Sequence, residues 1–196
     1  MVTREMILEK SREIFFKKGY FETSLLEIAN ECKISKGGLY HHFERKEDLF
    51  IETMILVLRE NERIVMSCIE KDGPFKEAIK EFAEKMLFLR NRYFEEGVEK
   101  HSNSLYLGPL SNAIKSFPQI GEENRKLYGN IFEKVVIRIK KAQKLGEIRK
   151  EINPEILAIQ FCAIFEGLPI ASYYAGKDFD EVSKSLFKSL WDLIKI

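Results

Sequence analysis

The sequence has few cysteines and none of the short motifs that mark common enzyme classes. Its three cysteines, Cys32, Cys68 and Cys162, show no C-x-x-C spacing, and each is predicted to be a small core residue rather than a redox sensor. Their odd number and the lack of a signal-peptide pattern favour a reduced, cytoplasmic setting. No G-x-S-x-G, G-x-x-x-x-G-K or H-E-x-x-H pattern occurs, so we expect no enzymatic activity.

The chain also lacks an excess of either charge and a convincing membrane segment. A net charge of +1, from 32 basic and 31 acidic residues, offers little long-range attraction to DNA. The most apolar stretch, Ile156 to Tyr174, contains Gln160, Glu166 and Pro169, which argues against a membrane span. It predicts instead a helix covered on both sides by protein. We expect no metal and no cofactor, since the adjacent His41 and His42 point to different helix faces.

What the sequence does contain is helical periodicity throughout, with no alternating strand pattern. Ile7, Ile14 and Phe15 lie at helical spacing, and Gly19 supplies the left-handed residue that ends a first helix. The segment Ser24-Leu25-Leu26-Glu27 has the pattern of a capping box. It predicts a short second helix that starts at about Leu25 and buries its apolar residues, namely Leu26, Ile28, Ala29 and Cys32.

A third helix follows Ser35, a plausible N-cap, and carries two successive glycines. Gly37 and Gly38 each cost about 1 kcal/mol against alanine inside a helix, but they let a backbone approach a phosphate closely. Leu39 and Phe43, four residues apart, predict the buried side of this helix. Its other side is polar, with Lys36, Tyr40, His41 and His42. Two short helices joined by a tight turn predict a helix-turn-helix that reads the DNA major groove.

The remainder of the chain predicts further helices, about nine in all, and an all-α fold. Breaks are expected at Asp72-Gly73-Pro74, near Gly97, at Gly108-Pro109 and near Gly146. Caps are expected at Asn153 and Asp178. The fourth helix starts near Lys46 without a flexible joint, so we predict a DNA-binding domain over residues 1–46 and a regulatory domain over 47–196.

Residues 3–50 resemble the TetR family of bacterial transcription regulators. The motif runs through Gly19-Tyr20-Phe21-Glu22-Thr23-Ser24, then Ser35 to Phe43, then Lys46-Glu47-Asp48-Leu49. Beyond it, Gly146-Glu147-Ile148-Arg149 resembles a recurring feature of the family's regulatory half. The resemblance implies a homodimer through the last two helices, a palindromic double-stranded DNA operator and a small-molecule effector in a cavity of the middle helices.

Carried over by position, the resemblance also implies individual DNA contacts. Thr23 or Ser24 would hold a phosphate at the start of the second helix, and Lys46 another at the start of the fourth. Gly38 lacks the side chain that often reads a base in the family, which shifts specificity to Lys36, Tyr40 and His41. Arg45 stands where a small capping residue is usual. The full set of predicted DNA-binding residues is Thr23, Ser24, Ser35, Lys36, Gly37, Gly38, Tyr40, His41, His42 and Lys46.

The effector is expected to be small and apolar or aromatic, and to release the protein from DNA. Candidate cavity residues are the aromatic and sulfur-containing side chains of the middle helices: Phe82, Met86, Phe88, Tyr93, Tyr106, Phe117, Phe132 and Phe165. An aromatic stripe at helical spacing equally fits a packed core. The residues leave open whether the protein represses or activates. The alternative function is a helical module that binds a small molecule or a partner without binding DNA.

Overall fold

The computed structural model describes residues 2–93 and 104–196, with side chains described except at positions 86–93, 104–109, 165, 169 and 173. Over these residues the chain forms α-helices and one isolated β-bridge between Ile148 and Lys195, which confirms the all-α prediction. No described helix is long and apolar enough to cross a bilayer. The helices are α1 (Arg4–Glu22), α2 (Leu25–Glu31), α3 (Lys36–His42), α4 (Lys46–Ile69), α5 (Phe75–Tyr93), α6 (Ser104–Ser116), α7 (Pro118–Lys144), α8 (Pro154–Tyr174) and α9 (Phe179–Ile194).

Local caps start several of these helices where the sequence predicts them. The side chains of Ser24, Ser35, Asn153 and Asp178 each accept a hydrogen bond from a first-turn amide, at 3.1, 3.0, 2.9 and 2.9 Å respectively. Such bonds satisfy amide groups that have no partner within the helix. The helix starts are therefore encoded by residues within three positions of them.

The first two helices differ from prediction in one boundary and one burial. Gly19 has the expected positive φ of 79°, but the helical segment resumes after it and ends at Glu22. Leu26 was predicted to be buried and this was wrong, since it is 55% exposed. Within the seven-residue α2 only Ile28 and Ala29 are buried, because a helix of two turns can bury only one narrow stripe of side chains.

Contacts divide the chain into two compact units. The first unit comprises Met1–Glu60 and Leu105–Arg125, and the second comprises Asn61–Ser104 and Lys126–Ile196. The helix α4 therefore contributes its first part to one unit and its last part to the other. The predicted domain boundary near residue 46 stays a prediction.

The core of the first unit is partly aromatic. The Phe15 ring meets the Phe50 ring edge-on with centroids 4.9 Å apart. Phe50 also contacts Tyr20 and Phe117, at 4.9 and 5.0 Å. Aromatic pairs at these distances add about 0.5–1.5 kcal/mol beyond the area they bury. This cluster ties α1 and α4 to the segment before α7.

The second unit has its own apolar core. It is formed by buried residues of α5, α7, α8 and α9, including Phe75, Ile139, Leu157, Phe161 and Phe187. The Phe75 and Phe161 rings meet at 5.9 Å. The Gly146-Glu147-Ile148-Arg149 turn completes this core, because Ile148 is fully buried and the Arg149 amide donates to the Ile194 carbonyl at 3.0 Å.

The cysteines are free thiols, two buried and one half-buried. Burial raises the pKa of Cys32, Cys68 and Cys162, which keeps these thiols protonated and poorly reactive. Their surroundings agree with the prediction that they fill space in the core.

A charge network centred on Glu81 predicts a pH-dependent stability. Hydrogen bonds from Lys71 and Lys85, each 2.8 Å long, lower the pKa of Glu81 to about 2. The unfolded chain would bind a proton near the ordinary value of 4.5, so it takes up the proton first as the pH falls. The stability from this network is thus complete above about pH 4.5 and is lost towards pH 2. In urea unfolding, the difference in midpoint between the wild type and Glu81→Gln should shrink between about pH 6 and pH 3.

The control for this experiment is Glu84→Gln, an exposed glutamate of the same helix. Its difference from the wild type should be small at both pH values, because no ion pair of Glu84 is described in the structure. An equal pH dependence for the two variants would contradict the role of the Glu81 network.

Candidate nucleic-acid interface

The helix α3 is fixed by two apolar side chains and presents the rest of its surface to solvent. Leu39 is fully buried and Phe43 is 2% exposed. Arg4 of α1 lies over the Phe43 ring, 4.4 Å from its centroid, a contact between distant residues that no local sequence pattern predicts. These contacts hold the short helix in one orientation despite its two glycines.

The outward side of α3 carries the residues predicted to read DNA. Lys36, Gly37, Tyr40 and His41 are exposed, and His42 is half-buried. The Lys36 ammonium lies 5.7 Å from the centre of the Tyr40 ring, within reach of a cation–π contact. A cation, an aromatic hydroxyl and an imidazole thus share one convex surface, which suits contacts to phosphates and base edges.

The turn between α2 and α3 has the tight geometry of a helix-turn-helix. Lys33 adopts a positive φ of 54°, which is uncommon for a residue other than glycine. Its amide donates to the Asn30 carbonyl at 3.0 Å, and the Ile34 amide donates to the Ala29 carbonyl at 3.0 Å. Sequence reasoning missed this turn residue, because a lysine carries no local signal for a left-handed conformation.

Two predicted phosphate contacts are used inside the unit. Thr23 is 2% exposed, and its hydroxyl donates to the Gly19 carbonyl at 2.7 Å. The Lys46 ammonium donates to the carbonyls of Tyr20 and Thr23 at 2.8 and 3.0 Å, which leaves one of its three protons for another partner. Ser24 is exposed, unlike Thr23, and which of the two holds a phosphate stays a prediction. Lys46 joins the start of α4 to the end of α1, and its phosphate contact also stays a prediction.

Arg45 precedes α4 and is paired with Asp48. The guanidinium donates to both carboxylate oxygens, at 3.0 and 2.7 Å, and this contact lowers the pKa of Asp48. Both side chains lie at the surface, so the pair adds little stability. It holds the Arg45 guanidinium at the surface, just before the start of α4.

The described effector candidates lie in two different places. Phe117 packs in the aromatic core of the first unit, with its ring 5.2 Å from that of Tyr20. Phe82 and Phe132 are partly buried against the core of the second unit, and Phe82 contacts Phe187 at 6.0 Å. Five candidates lie outside the described side chains: Met86, Phe88, Tyr93, Tyr106 and Phe165. Membership of a cavity stays a prediction for all eight.

The seated α3, its tight turn and its exposed polar surface define a helix-turn-helix DNA-binding protein. Residues 7–53 match the family model described as "Bacterial regulatory proteins, tetR family". The HTH-type transcriptional regulator UidR of Escherichia coli (strain K12) is 29% identical over 157 residues, which cover 77% of this chain and 71% of that protein. The HTH-type transcriptional repressor DhaR of Mycobacterium sp. (strain GP1) is 25% identical, over 84% and 79% of the two chains.

Solved structures agree with the same fold along nearly the whole chain. A transcriptional regulator from Saccharomonospora viridis, solved in complex with choline, has a TM-score of 0.75 at 19% identity and covers 98% of this chain and 97% of that one. GusR of Salmonella enterica has a TM-score of 0.65 at 22% identity, over 96% and 95%. Residues 7–53 are thus a DNA-binding segment of the TetR family of transcriptional regulators, and the chain shares its fold with solved structures of TetR-family regulators. Regulators of this family are DNA-binding proteins and not enzymes.

Proposed function

We propose that this protein is a homodimeric repressor that binds a palindromic operator and leaves it when a small apolar or aromatic effector binds. The exposed polar surface of α3, seated by Leu39 and Phe43, is the observation that carries the proposal. In a dimer, two such helices would enter major-groove segments about 34–36 Å apart, or a multiple of that distance. The name of the relative DhaR, a transcriptional repressor, supports repression rather than activation. We expect this activity in the cytoplasm, because a bacterial operator lies there.

Dimerisation is proposed to use α8 and α9. An apolar stripe on α8 lies open to solvent in the single chain: Ile156 is 53% exposed, Ile159 52%, Ile170 40% and Tyr174 81%. Water contact with such a stripe is unfavourable by about 25 cal/mol per Å² of apolar area. A second copy of the chain would cover it symmetrically, as in most homodimers.

Effector response is proposed to act through α4. This helix begins at Lys46, beside the DNA-binding residues, and ends at Ile69 in the second unit. An effector that favours one placement of α4 needs a coupling of only about 1–3 kcal/mol to weaken operator binding about 5- to 150-fold. Phe82 and Phe132, partly buried in the second unit, support an apolar effector.

Tyr40→Ala tests the DNA-binding surface. Tyr40 is 43% exposed, so its loss should leave the unfolding temperature nearly unchanged. Operator binding should weaken about 10- to 100-fold, because a contact to a base edge is worth about 1–3 kcal/mol. An operator is first selected from random duplex DNA with the wild-type protein, and affinities are then measured by gel shift.

The matched control is Ile137→Ala, which removes a side chain that is 61% exposed in the second unit. Its operator affinity should equal that of the wild type. If Tyr40→Ala binds as well as this control, Tyr40 is not part of the interface. If random selection with the wild type enriches no sequence, the proposed function is wrong.

A further inference from the structure

The turn between α4 and α5 is held by two buried or charge-assisted bonds that neither the proposed DNA surface nor the effector site accounts for. Arg138 of α7 is only 6% exposed, and its guanidinium donates to the Gly73 carbonyl in this turn. The same guanidinium lies 5.9 Å from the centre of the Phe75 ring. Glu147, in the turn after α7, accepts a hydrogen bond of 2.6 Å from the Phe75 amide. All of these residues belong to the second unit.

The Glu147 and Arg138 hydrogen bonds each satisfy a backbone group that has no partner within its own helix or turn. The Phe75 amide begins α5 and has no acceptor inside that helix, so the Glu147 carboxylate caps it and also suits the positive end of the helix dipole. The Gly73 carbonyl belongs to a residue with a φ of 131°, which only glycine adopts readily. Arg138 therefore holds the backbone at the one point of this turn where it is least restrained by a side chain.

Other links to this turn are exposed and weaker. Lys141 pairs with Asp72 at 3.2 Å, but Asp72 is 97% exposed in its side chain. Lys134 pairs with Glu70 at 3.2 Å, and both side chains are largely in solvent. Exposed pairs of this kind contribute about 0–1 kcal/mol. A third pair joins Lys71 of this turn to Glu81 at 2.8 Å, and the Lys71 side chain is 64% exposed. Among the described residues, Arg138 makes the most buried contact with the turn, and Glu147 alone caps the first amide of α5.

We propose that Arg138 and Glu147 are positioning residues that fix the C-terminal end of α4, and that they thereby set which half-site spacing the dimer accepts. The inference rests on the proposed function, because it needs a dimer and a two-part operator. In the first unit α4 contributes three fully buried side chains, Leu49, Met54 and Val57. If the bonds at the C-terminal end of α4 are lost, the helix can move further, and each recognition helix can then occupy a wider range of positions. A dimer with a fixed α4 should therefore bind one half-site spacing, and a dimer with a mobile α4 should bind several.

The test compares operators whose half-sites are separated by the selected spacing or by one base pair more or less. Full-length wild type, Glu147→Gln and Arg138→Met are assayed by gel shift against each DNA. We expect the wild type to bind the altered spacings at least about 10-fold more weakly. In both variants this loss of affinity at the altered spacings (the spacing penalty) should be at least about 5-fold smaller, because residues between two coupled sites change the coupling by roughly that factor. Affinity for the selected spacing should change less than the penalty does.

Two control variants separate this role from general destabilisation. Lys141→Met removes the exposed link to the same turn and should keep the wild-type spacing penalty. Glu151→Gln makes the same chemical change as Glu147→Gln at an exposed position four residues later and should also keep it. Circular dichroism melts identify a variant that does not fold. Should Arg138→Met fail in this way, Glu147→Gln still decides the outcome, because it keeps the size of the side chain while it removes the charge and replaces one acceptor oxygen by a donor.

The outcomes distinguish the two proposals. If the wild type binds no operator, the proposed function fails. If the wild type binds and discriminates between spacings, but folded Glu147→Gln discriminates equally, the positioning role of these residues is wrong and the regulator stands. A wild type that binds all spacings equally also overturns the inference, because there would then be no spacing preference to set.

Discussion

Replacing Ile159 by aspartate should convert the dimer to a monomer and reduce operator binding at least about 100-fold. Ile159 is 52% exposed in the single chain and lies within the apolar stripe of α8. In the proposed dimer each copy would bury one new carboxylate without a partner, and a buried unpaired charge costs several kcal/mol. Loss of the dimer removes the second half-site contact, so the effect on DNA binding is larger than that of any single contact. Sedimentation velocity and gel shift measure the two effects.

Ile137→Asp is the matched control for that experiment. Ile137 is 61% exposed, but it lies on α7, outside the proposed interface. The variant should remain a dimer with wild-type affinity for the operator. A dimeric Ile159→Asp would remove this part of α8 from the interface.

Glutamate in place of Gly37 should abolish specific operator binding while leaving the protein folded. A Cβ at this position would meet only the Ser35 hydroxyl oxygen, at 3.9 Å, and the residue is exposed. Replacing a glycine inside a helix by any residue other than proline also stabilises the helix, by up to about 1 kcal/mol. The new carboxylate, however, would face the phosphates that Lys36 is proposed to approach. We expect binding to weaken at least about 100-fold, with an unfolding temperature equal to or above that of the wild type.

Two further variants show whether charge or size causes this loss. Gly37→Ala should stabilise the fold and weaken DNA binding less than Gly37→Glu does. Gly129→Glu makes the same change at a helical glycine of the second unit, where a Cβ would meet nothing within 4 Å, and it should leave operator affinity intact. Equal losses for Gly37→Ala and Gly37→Glu would show that space, rather than charge, excludes the side chain.

The helix starts could be predicted from the sequence because their causes are local. Ser24, Ser35, Asn153 and Asp178 all bond amides that lie two or three residues further along the chain. The same is true of the buried pair Leu39 and Phe43, whose spacing of four residues is a property of the helix itself. Patterns of this range identify the family and its DNA-reading helix.

Roles that depend on distant backbone atoms could not be predicted in this way. Lys46 uses two of its protons on carbonyls 26 and 23 residues earlier, and Arg138 reaches a carbonyl 65 residues earlier. Leu26 has the composition of a core residue but faces solvent, because α2 is seated through Ile28 and Ala29. The ring contacts of Phe117 with Tyr20 and Phe50 join residues far apart in the sequence. In each case the sequence indicates the chemistry of the side chain but not its partner.

The four residues from Gly146 to Arg149 bear on how such a regulator can diversify. In this turn, Glu147 accepts a hydrogen bond from the first amide of α5, and the Arg149 amide donates one to the last residue of α9. Ile148 of the same turn is fully buried in the core. Two helix ends are thereby held by one short segment that lines no proposed binding surface. Side chains elsewhere in the regulatory half are then freer to change, so new chemical signals can be acquired without rebuilding the scaffold that senses them.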